Sequence, residues 1–283
     1  MSNTQDIAVS EVPVSAIGSV TGRPVLWTRP VYTGTAEALA AKEAALFARL
    51  AEIAAKHGVA KFATSLAAED MVVTDAILRS PEAVRAHLPI FTLQTGRLHA
   101  ETLAMLDRIR EHYGYAIEQY APDARAVEAY VRDYGVNAFY DSIELRKACC
   151  NIRKVVPLNR ALKDADAWLT GQRREQAVTR ADLPFAEDDD ARGIAKYNPL
   201  FDWSEPEVWA YLEQHNVPTN ALHDKGYPSI GCEPCTRAVR AGEDVRAGRW
   251  WWESRDSKEC GLHVTNAATN AVTNSATNLS HKS

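Results

Sequence analysis

The sequence predicts an α/β protein: a single domain built on a mostly parallel β-sheet that is flanked by helices. Short apolar runs alternate along the chain with longer segments whose apolar residues recur at helical spacing. Strands that alternate with helices pair in parallel, because each helix carries the chain back to the same edge of the sheet. The chain has 283 residues, 46% of them hydrophobic, which is enough for one large core.

The predicted elements follow one another from residue 35 onwards. Thr35 is the expected N-cap of a first helix that stops at Gly58. Its apolar face consists of Leu39, Leu46, Phe47, Leu50 and Ile53. The predicted strands are 61–65, 90–93, 115–120 and 167–170, and the further helices are 69–79, 99–113 and 124–133. In helix 99–113 the inward side chains should be Leu103, Leu106 and Ile109, and the acidic run 187–190 should be a solvated loop.

Both ends of the chain read differently from this alternating region. Residues 1–30 contain Pro13, Pro24 and Pro30 without a clear period, so we expect a loosely ordered N-terminal arm. From Thr265 a Thr-Asn pair recurs every four residues, and such a polar run cannot bury enough apolar surface to order itself. Residues 265–283 are therefore predicted to be a disordered tail, with an Asn ladder in an ordered element as the alternative.

Charge and hydropathy exclude several classes of protein. The 32 Lys and Arg residues are balanced by 37 Asp and Glu residues, so we expect no nucleic-acid surface. No apolar run approaches the length of a membrane span, and residues 1–20 lack the pattern of a signal peptide. A cytoplasmic location is predicted. Because that compartment keeps thiols reduced, the five cysteines should be metal ligands or catalytic groups rather than disulfides.

Three polar turns follow predicted strands, at residues 64–70, 94–97 and 171–174. Ligands of parallel sheets bind beyond the C-terminal ends of the strands. The sequence therefore predicts a binding site formed by these turns.

The cysteines fall into the vicinal pair Cys149-Cys150, the turn Cys232-Glu233-Pro234-Cys235, and Cys260. Neighbouring residues point in different directions, so two vicinal thiolates fit poorly around one tetrahedral ion, whereas a cubane offers each thiolate its own iron. Four thiolates are the usual complement of a [4Fe-4S] cluster. The pattern favours a cluster over structural zinc, with buried cysteines that hold no metal as a third interpretation.

Cys260 remains after these four are assigned. It stands in the segment Glu259-Cys260-Gly261-Leu262-His263, near the polar tail. A cysteine on a flexible segment beside a histidine can be a nucleophile when its thiolate is favoured. A surface cysteine without a role is the equal alternative from these residues alone.

Together these residues resemble the assimilatory adenylyl-sulfate (APS) reductases of the APS/PAPS reductase family over residues 35–263. The resemblance lies in segments 147–154, 231–237, 249–253 and 258–263, in the turn from Thr95 to His99, and in the phosphate and Arg-rich loops. The phosphate loop of the family usually has Ser and Gly where this chain has Leu66 and Ala67, and Gln94 stands where the family has Asp.

The resemblance implies a fold of the adenine-nucleotide alpha-hydrolase (PP-loop) type and one [4Fe-4S] cluster per subunit, held by the four paired cysteines. It implies a reductase domain at 31–255 and a mobile catalytic segment at 256–264. Cys260 would be the nucleophile. The residues implied to bind substrate are Lys154, Arg180, Arg246, Arg249, His263, Thr64, Ser65, Gly171 and Arg97.

The implied reaction converts APS to sulfite and AMP through an S-sulfonate on Cys260, with thioredoxin as the reductant. A reductase for PAPS, or for both nucleotides, is the alternative within this class. A zinc-binding PP-loop protein that modifies RNA is the alternative from another class. The sequence leaves open whether the chain forms a homo-oligomer.

Overall fold

A computed structural model describes residues 24–177 and 180–253. These ranges contain eight α-helices: α1 Ala36–Lys56, α2 Ala68–Arg79, α3 Glu82–Arg85, α4 Ala100–Tyr113, α5 Ala124–Tyr134, α6 Ile143–Cys150, α7 Val156–Ala161 and α8 Glu205–Gln214. The strands are β1 Ala60–Thr64, β2 Ile90–Leu93, β3 Glu118–Tyr120, β4 Ala167–Leu169, β5 Ala186–Asp189 and β6 Ile194–Tyr197.

The six strands form one sheet in the order β3-β2-β1-β4-β6-β5. All neighbours are parallel except β5 and β6, which are antiparallel. The predicted fold class, a mostly parallel sheet flanked by helices, is confirmed. β2 and β3 lie on one side of β1, whereas β6 and β5 lie on the far side of β4, so the strand order changes direction between the paired strands β1 and β4. In such sheets ligands bind in the crevice beyond the C-terminal ends of the strands at this point.

The acidic run was wrongly predicted as a solvated loop, because most of it lies in β5. Two of its four carboxylates, those of Glu187 and Asp189, have partners on other strands, whereas Asp188 and Asp190 are exposed. Lys196 in β6 lies 2.8 Å from the Glu187 carboxylate, and the indole of Trp168 in β4 donates to Asp189 at 2.9 Å. Because these partners lie on other strands, the sequence of the acidic run alone cannot predict the pairing.

The helices agree with the sequence where local signals were strong. The Thr35 hydroxyl accepts from the Ala38 N–H at 3.2 Å and caps α1 as predicted. In α4 the prediction for Leu103 was wrong: it is exposed, whereas Ile109 is buried, because the face of α4 that packs inward is centred on Met105.

Two large faces of the sheet are covered by core clusters. The larger hydrophobic cluster joins α1, α2 and α8 to β1 and contains Trp203 and Tyr211. The smaller hydrophobic cluster packs α7 against β4 around Trp168. The chain before α1 also packs against the domain: the ring centroids of Trp27 and Trp209 lie 6.1 Å apart, with the rings tilted by 49°. No helix within the described ranges is both long enough and apolar enough to cross a membrane.

Candidate functional site

A cavity of ≈ 230 Å³ lies beyond the C-terminal ends of β1 and β4. Its wall contains the loop after β1, the loop after β4 and the segment before the cysteine turn at 232–235. The charged side chains in the wall are of both signs: Lys154, Arg173, Arg180, Arg246 and Arg249 on one hand, and Glu69, Asp70 and Glu205 on the other.

Asp70 joins the two strand-end loops. Its carboxylate accepts the backbone N–H and the hydroxyl of Ser65, both at 2.5 Å, and the backbone N–H of Gly171. Burial raises the pKa of Asp70 to about 6, although the hydrogen bonds from Ser65 oppose that shift. A buried carboxylate therefore holds two loops that come from neighbouring strands.

A second group of carboxylates stands next to Asp70. Arg173 donates to Glu69 at 2.9 and 3.1 Å. Burial alone would raise the pKa of Glu69, but the charge of Arg173 and the hydrogen bonds from Gln176, Arg173 and the backbone together hold this pKa below its usual value. Glu205, at the start of α8, has its pKa raised to about 7, first by burial and then by the nearby Glu69. This side of the cavity thus carries more negative than positive charge.

The opposite side is cationic, and Arg249 shows how it is built. The guanidinium lies 4.8 Å from the Trp250 ring and donates to the Ser229 hydroxyl at 3.3 Å and to the Ile230 carbonyl at 3.1 Å. A Cβ on Gly231 would overlap this guanidinium, so the glycine makes room for it. Within the described residues the Arg249 Nε is buried and has no hydrogen-bond partner, which leaves one donor for a ligand.

The four paired cysteines converge in one recess beside the cavity. Cys150, Cys232 and Cys235 are buried and Cys149 is partly buried, and they pack in one cluster with Phe139, Trp250 and Trp252. None of the four forms a disulfide. Four positively charged side chains lie in the wall of this recess: Arg97, Arg146, Arg153 and Lys154.

The helix that carries the first pair widens immediately after it. Residues Asn151–Val155 form a π-helical turn between α6 and α7. Pro157 follows, and because it lacks an N–H and its ring crowds the preceding turn, the regular α-helical bonding pattern cannot continue there. The wide turn places Arg153 and Lys154 beside the recess.

Burial disfavours the thiolate forms of Cys235 and Cys149. Burial, followed by the neighbouring Cys232, raises the pKa of Cys235 to about 12. Burial also raises the pKa of Cys149, and Arg153 offsets part of this. A bound metal centre would reverse these shifts. Within 24–177 and 180–253 no three His, Cys, Asp or Glu side chains are arranged to hold a single metal ion.

The loop after β2 connects the recess to the cavity. The Thr95 hydroxyl lies 3.3 Å from the Cys232 sulfur, and the Thr95 carbonyl accepts from Arg153 at 2.7 Å. Thr95 also lines the cavity. Lys154, Cys232 and Trp250 lie in the walls of both spaces.

The structure places the residues implied to bind substrate in two groups. Six of them line the cavity: Ser65, Lys154, Gly171, Arg180, Arg246 and Arg249. Thr64 does not line it; its hydroxyl accepts from the Leu66 N–H at 3.1 Å within the turn. Arg97 lines the cysteine recess instead, where it donates to Asn137 at 3.0 Å. Cys260 and His263 lie outside the described residues, as do the segments 256–264 and 265–283.

Sequence reasoning missed several charged residues of this region. Glu69, Asp70 and Arg173 stand in the turns that were singled out, but their mutual contacts depend on the pairing of β1 with β4. The position of Glu205 has a local sequence signal, because Ser204 and Glu207 form a capping box at the start of α8.

The fold and the site define an α/β protein with a mostly parallel, helix-flanked sheet and a cavity beyond the C-terminal ends of β1 and β4. The chain belongs to the phosphoadenosine phosphosulfate reductase domain family, whose sequence profile matches residues 60–238. A Burkholderia cepacia protein named adenosine 5'-phosphosulfate reductase is 65% identical over 82% of this chain and 93% of its own length. A protein of the same name from Neisseria meningitidis serogroup B is 56% identical over 85% of this chain and 97% of its own length.

Solved structures share the fold. The phosphoadenylyl-sulfate (PAPS) reductase of Candida auris, in a phosphate complex, superposes with a TM-score of 0.58 at 23% identity and covers 74% of this chain and 100% of its own. An FMN adenylyltransferase from Candida glabrata superposes with a TM-score of 0.50 at 14% identity, covering 86% of this chain and 85% of its own. At these identities the likeness concerns the fold alone.

Proposed function

We propose that the chain is a thioredoxin-dependent adenylyl-sulfate reductase of assimilatory sulfate reduction, acting in the cytoplasm on APS to yield sulfite and AMP. One observation carries the proposal: the strand-end cavity and the cysteine recess share a wall, in which Lys154, Cys232 and Trp250 take part. The relatives from Burkholderia cepacia and Neisseria meningitidis, which are named adenosine 5'-phosphosulfate reductase, support the choice of substrate.

The charges of the cavity suit this substrate. APS joins sulfate to AMP through an anhydride, and its phosphosulfate repels an approaching thiolate unless cations offset the charge. Lys154, Arg180, Arg246 and Arg249 are the cations proposed to do so. Guanidinium groups bind such oxygens through paired donors, and an ammonium acts as a point charge. The loops at Ser65 and Gly171 would hold the nucleotide, and His263 would assist from the C-terminal segment.

The proposed first stage is a displacement at sulfur. The Cys260 thiolate forms a bond to the sulfur of APS while the bond from that sulfur to the bridging oxygen breaks, and AMP leaves with the bonding electron pair. The product is a Cys260 S-sulfonate. Covalent catalysis of this kind divides one difficult step into two easier ones.

The proposed second stage needs two electrons from a dithiol. One thioredoxin thiolate attacks the Cys260 Sγ, and sulfite leaves with the electron pair of the S–S bond. The second thioredoxin thiol then resolves the mixed disulfide, so that thioredoxin is oxidised and Cys260 is restored. The other four cysteines lie together in the recess, which supports an external rather than an internal dithiol.

The recess fits a [4Fe-4S] cluster by the chemistry of its donors. Cys149, Cys150, Cys232 and Cys235 would each ligate one iron, and the surrounding cations, among them Arg153, would balance the negative charge of the thiolates. When bound, the cluster would supply a local field next to Lys154, which lies four residues beyond Cys150. Lys154 itself would bind and orient the phosphosulfate, since it also lines the cavity.

Replacing the proposed nucleophile tests the reaction. Cys260→Ser should abolish sulfite production from APS with reduced thioredoxin and leave the visible absorbance of the purified protein unchanged. Incubating the parent chain with APS alone should add one sulfonate to Cys260, detectable by mass spectrometry. Sulfite release at the parental rate by Cys260→Ser would overturn the mechanism.

Metal analysis of anaerobically purified protein tests the cofactor and separates the alternatives. Brown protein with about four irons per chain supports the cluster. Colourless protein with a single zinc would support the PP-loop RNA-modifying alternative. Comparing kcat/KM for APS and PAPS distinguishes an APS reductase from an enzyme that accepts either nucleotide, because only the latter turns over both substrates at similar rates.

A further inference from the structure

We propose that Asp70 is a positioning residue: its ionised carboxylate ties the loop after β1 to the loop after β4 and thereby sets the shape of the substrate cavity. The inference rests on the proposed function, since it concerns how the cavity binds APS. Asp70 lines the cavity wall but was not among the residues implied to bind substrate.

The first half of the tie is made to Ser65. The Asp70 carboxylate accepts both the backbone N–H and the hydroxyl of Ser65 at 2.5 Å. Both donors of Ser65 are thus occupied, so in this arrangement they hold the loop rather than a ligand. Asp70 itself is fixed because it lies in the first turn of α2, where the helix dipole favours a negative charge.

The second half of the tie is made to Gly171, from the neighbouring strand. The Gly171 N–H donates to Asp70. A Cβ at position 171 would overlap the carboxylate oxygen, so the carboxylate reaches the loop only because residue 171 is a glycine. Ser65 and Gly171 follow strands that pair directly, and Asp70 bridges the gap in which ligands of this fold class bind.

Three donors converge on one carboxylate, and that arrangement requires its ionised form. An ionised carboxylate only accepts hydrogen bonds, whereas a protonated one carries a donor of its own and loses acceptor sites. Burial raises the pKa of Asp70 to about 6. Below that pH the hydrogen bonds from Ser65 and Gly171 to the carboxylate should weaken, and the two loops should no longer keep their relative position.

The other charged groups around Asp70 define the controls. Glu69 is the neighbouring carboxylate on α2, and it is paired with Arg173 from the loop after β4. Arg173 also lies 3.5 Å from Glu175, and Glu205 approaches from α8. The cations in the same wall are Lys154, Arg180, Arg246 and Arg249. Among these groups, Glu205 has a pKa that is raised to about 7, close to the pKa of Asp70. The experiment must therefore distinguish the titration of Glu205 from that of Asp70.

The test measures the affinity for APS between pH 5 and 8 by titration calorimetry, using full-length protein with Cys260→Ser so that no chemistry occurs. APS is the probe because its phosphate lies in an anhydride and, unlike a phosphomonoester, has no ionisation near pH 6. The dissociation constant should rise about 10-fold as the pH falls through 6, the size expected when one charge-assisted hydrogen-bond set is lost.

Asp70→Asn in the same background should bind APS about 10-fold more weakly than the parent at pH 7.5 and should lose the change at pH 6. Glu205→Gln is the matched control and should keep that change. Because burial disfavours the Asp70 charge, the melting temperature of Asp70→Asn at pH 7.5 should be no lower than that of the parent. An affinity that does not change through pH 6, or that loses its change in Glu205→Gln but not in Asp70→Asn, overturns the inference.

If Asp70→Asn does not fold, the pH profile of the parent and of Glu205→Gln still decides the matter. The outcome is also separable from the proposed function. A parent chain that makes sulfite from APS but binds it equally at pH 5 and 8 refutes only the role of Asp70. A chain that makes no sulfite yet shows the affinity change at pH 6 refutes only the reaction.

Discussion

Arg146 and Glu253 form an ion pair in the interior of the protein, with the guanidinium Nε and Nη2 donating to the two carboxylate oxygens at 2.8 and 2.7 Å. The exposed fractions of the two side chains are 0% and 3%. Arg146 comes from α6, just before the first cysteine pair, and its guanidinium also lies 4.9 Å from the Trp250 ring. The pair therefore fastens the end of the described chain to the helix of the cysteine recess.

Breaking this pair should destabilise the fold strongly. Glu253→Ala leaves the Arg146 charge buried without its carboxylate, and we expect the free energy of unfolding to fall by about 3–5 kcal/mol. Urea denaturation followed by circular dichroism measures it. Arg132→Ala removes an exposed pair with Asp133 and should change the midpoint little. If both variants lower the free energy of unfolding equally, the buried Arg146–Glu253 pair is not a major contributor to stability.

Lys154 should affect catalysis without affecting the cofactor. Lys154→Ala removes a cation that stands in the wall of both the cavity and the recess, so kcat/KM for APS should fall about 10- to 100-fold. Sulfite assays and visible spectra measure the two properties. The exposed Lys163→Ala, near the end of α7, is the control that should leave both unchanged. Full activity of Lys154→Ala would refute the role of this cation.

Gly231→Ala should displace Arg249 from its place in the cavity wall, because the new methyl group overlaps the guanidinium. We expect kcat/KM for APS to fall about 10-fold or more, mainly through KM. Gly58→Ala is the control, since its new Cβ would be 3.7 Å from the nearest neighbour, an oxygen of Asp166. If both glycine variants retain parental KM values, the Arg249 position does not matter for binding.

Glu205 should make stability depend on pH. Burial raises its pKa from 4.5 to about 7 in the folded state, so its favourable contribution is complete below pH 4.5 and is lost as the pH rises through 7. Glu205→Gln should therefore gain about 1–3 kcal/mol relative to the parent between pH 5 and pH 8.5. Urea denaturation at both values measures this. Glu128→Gln, on the exposed face of α5, should not show such a gain.

Much of the fold follows from local patterns. The capping residue Thr35, the period of α1 and the apolar runs of β1 and β2 each lie within a few residues of one another, so propensity and periodicity sufficed to predict them. The edge strand β5 did not follow, because an acidic run becomes a strand only when Lys196 and Trp168 are brought beside it.

The sequence by itself determined which residues have reactive chemistry: the two cysteine pairs, the unpaired Cys260 and the polar turns after the strands are all readable as short motifs. Only the tertiary structure decided which of them meet. Ser65, Asp70 and Gly171 come together because β1 pairs with β4, strands separated by about a hundred residues. It also separated Thr64 and Arg97 from the cavity lining, since hydrogen bonds within a turn and to Asn137 orient them elsewhere.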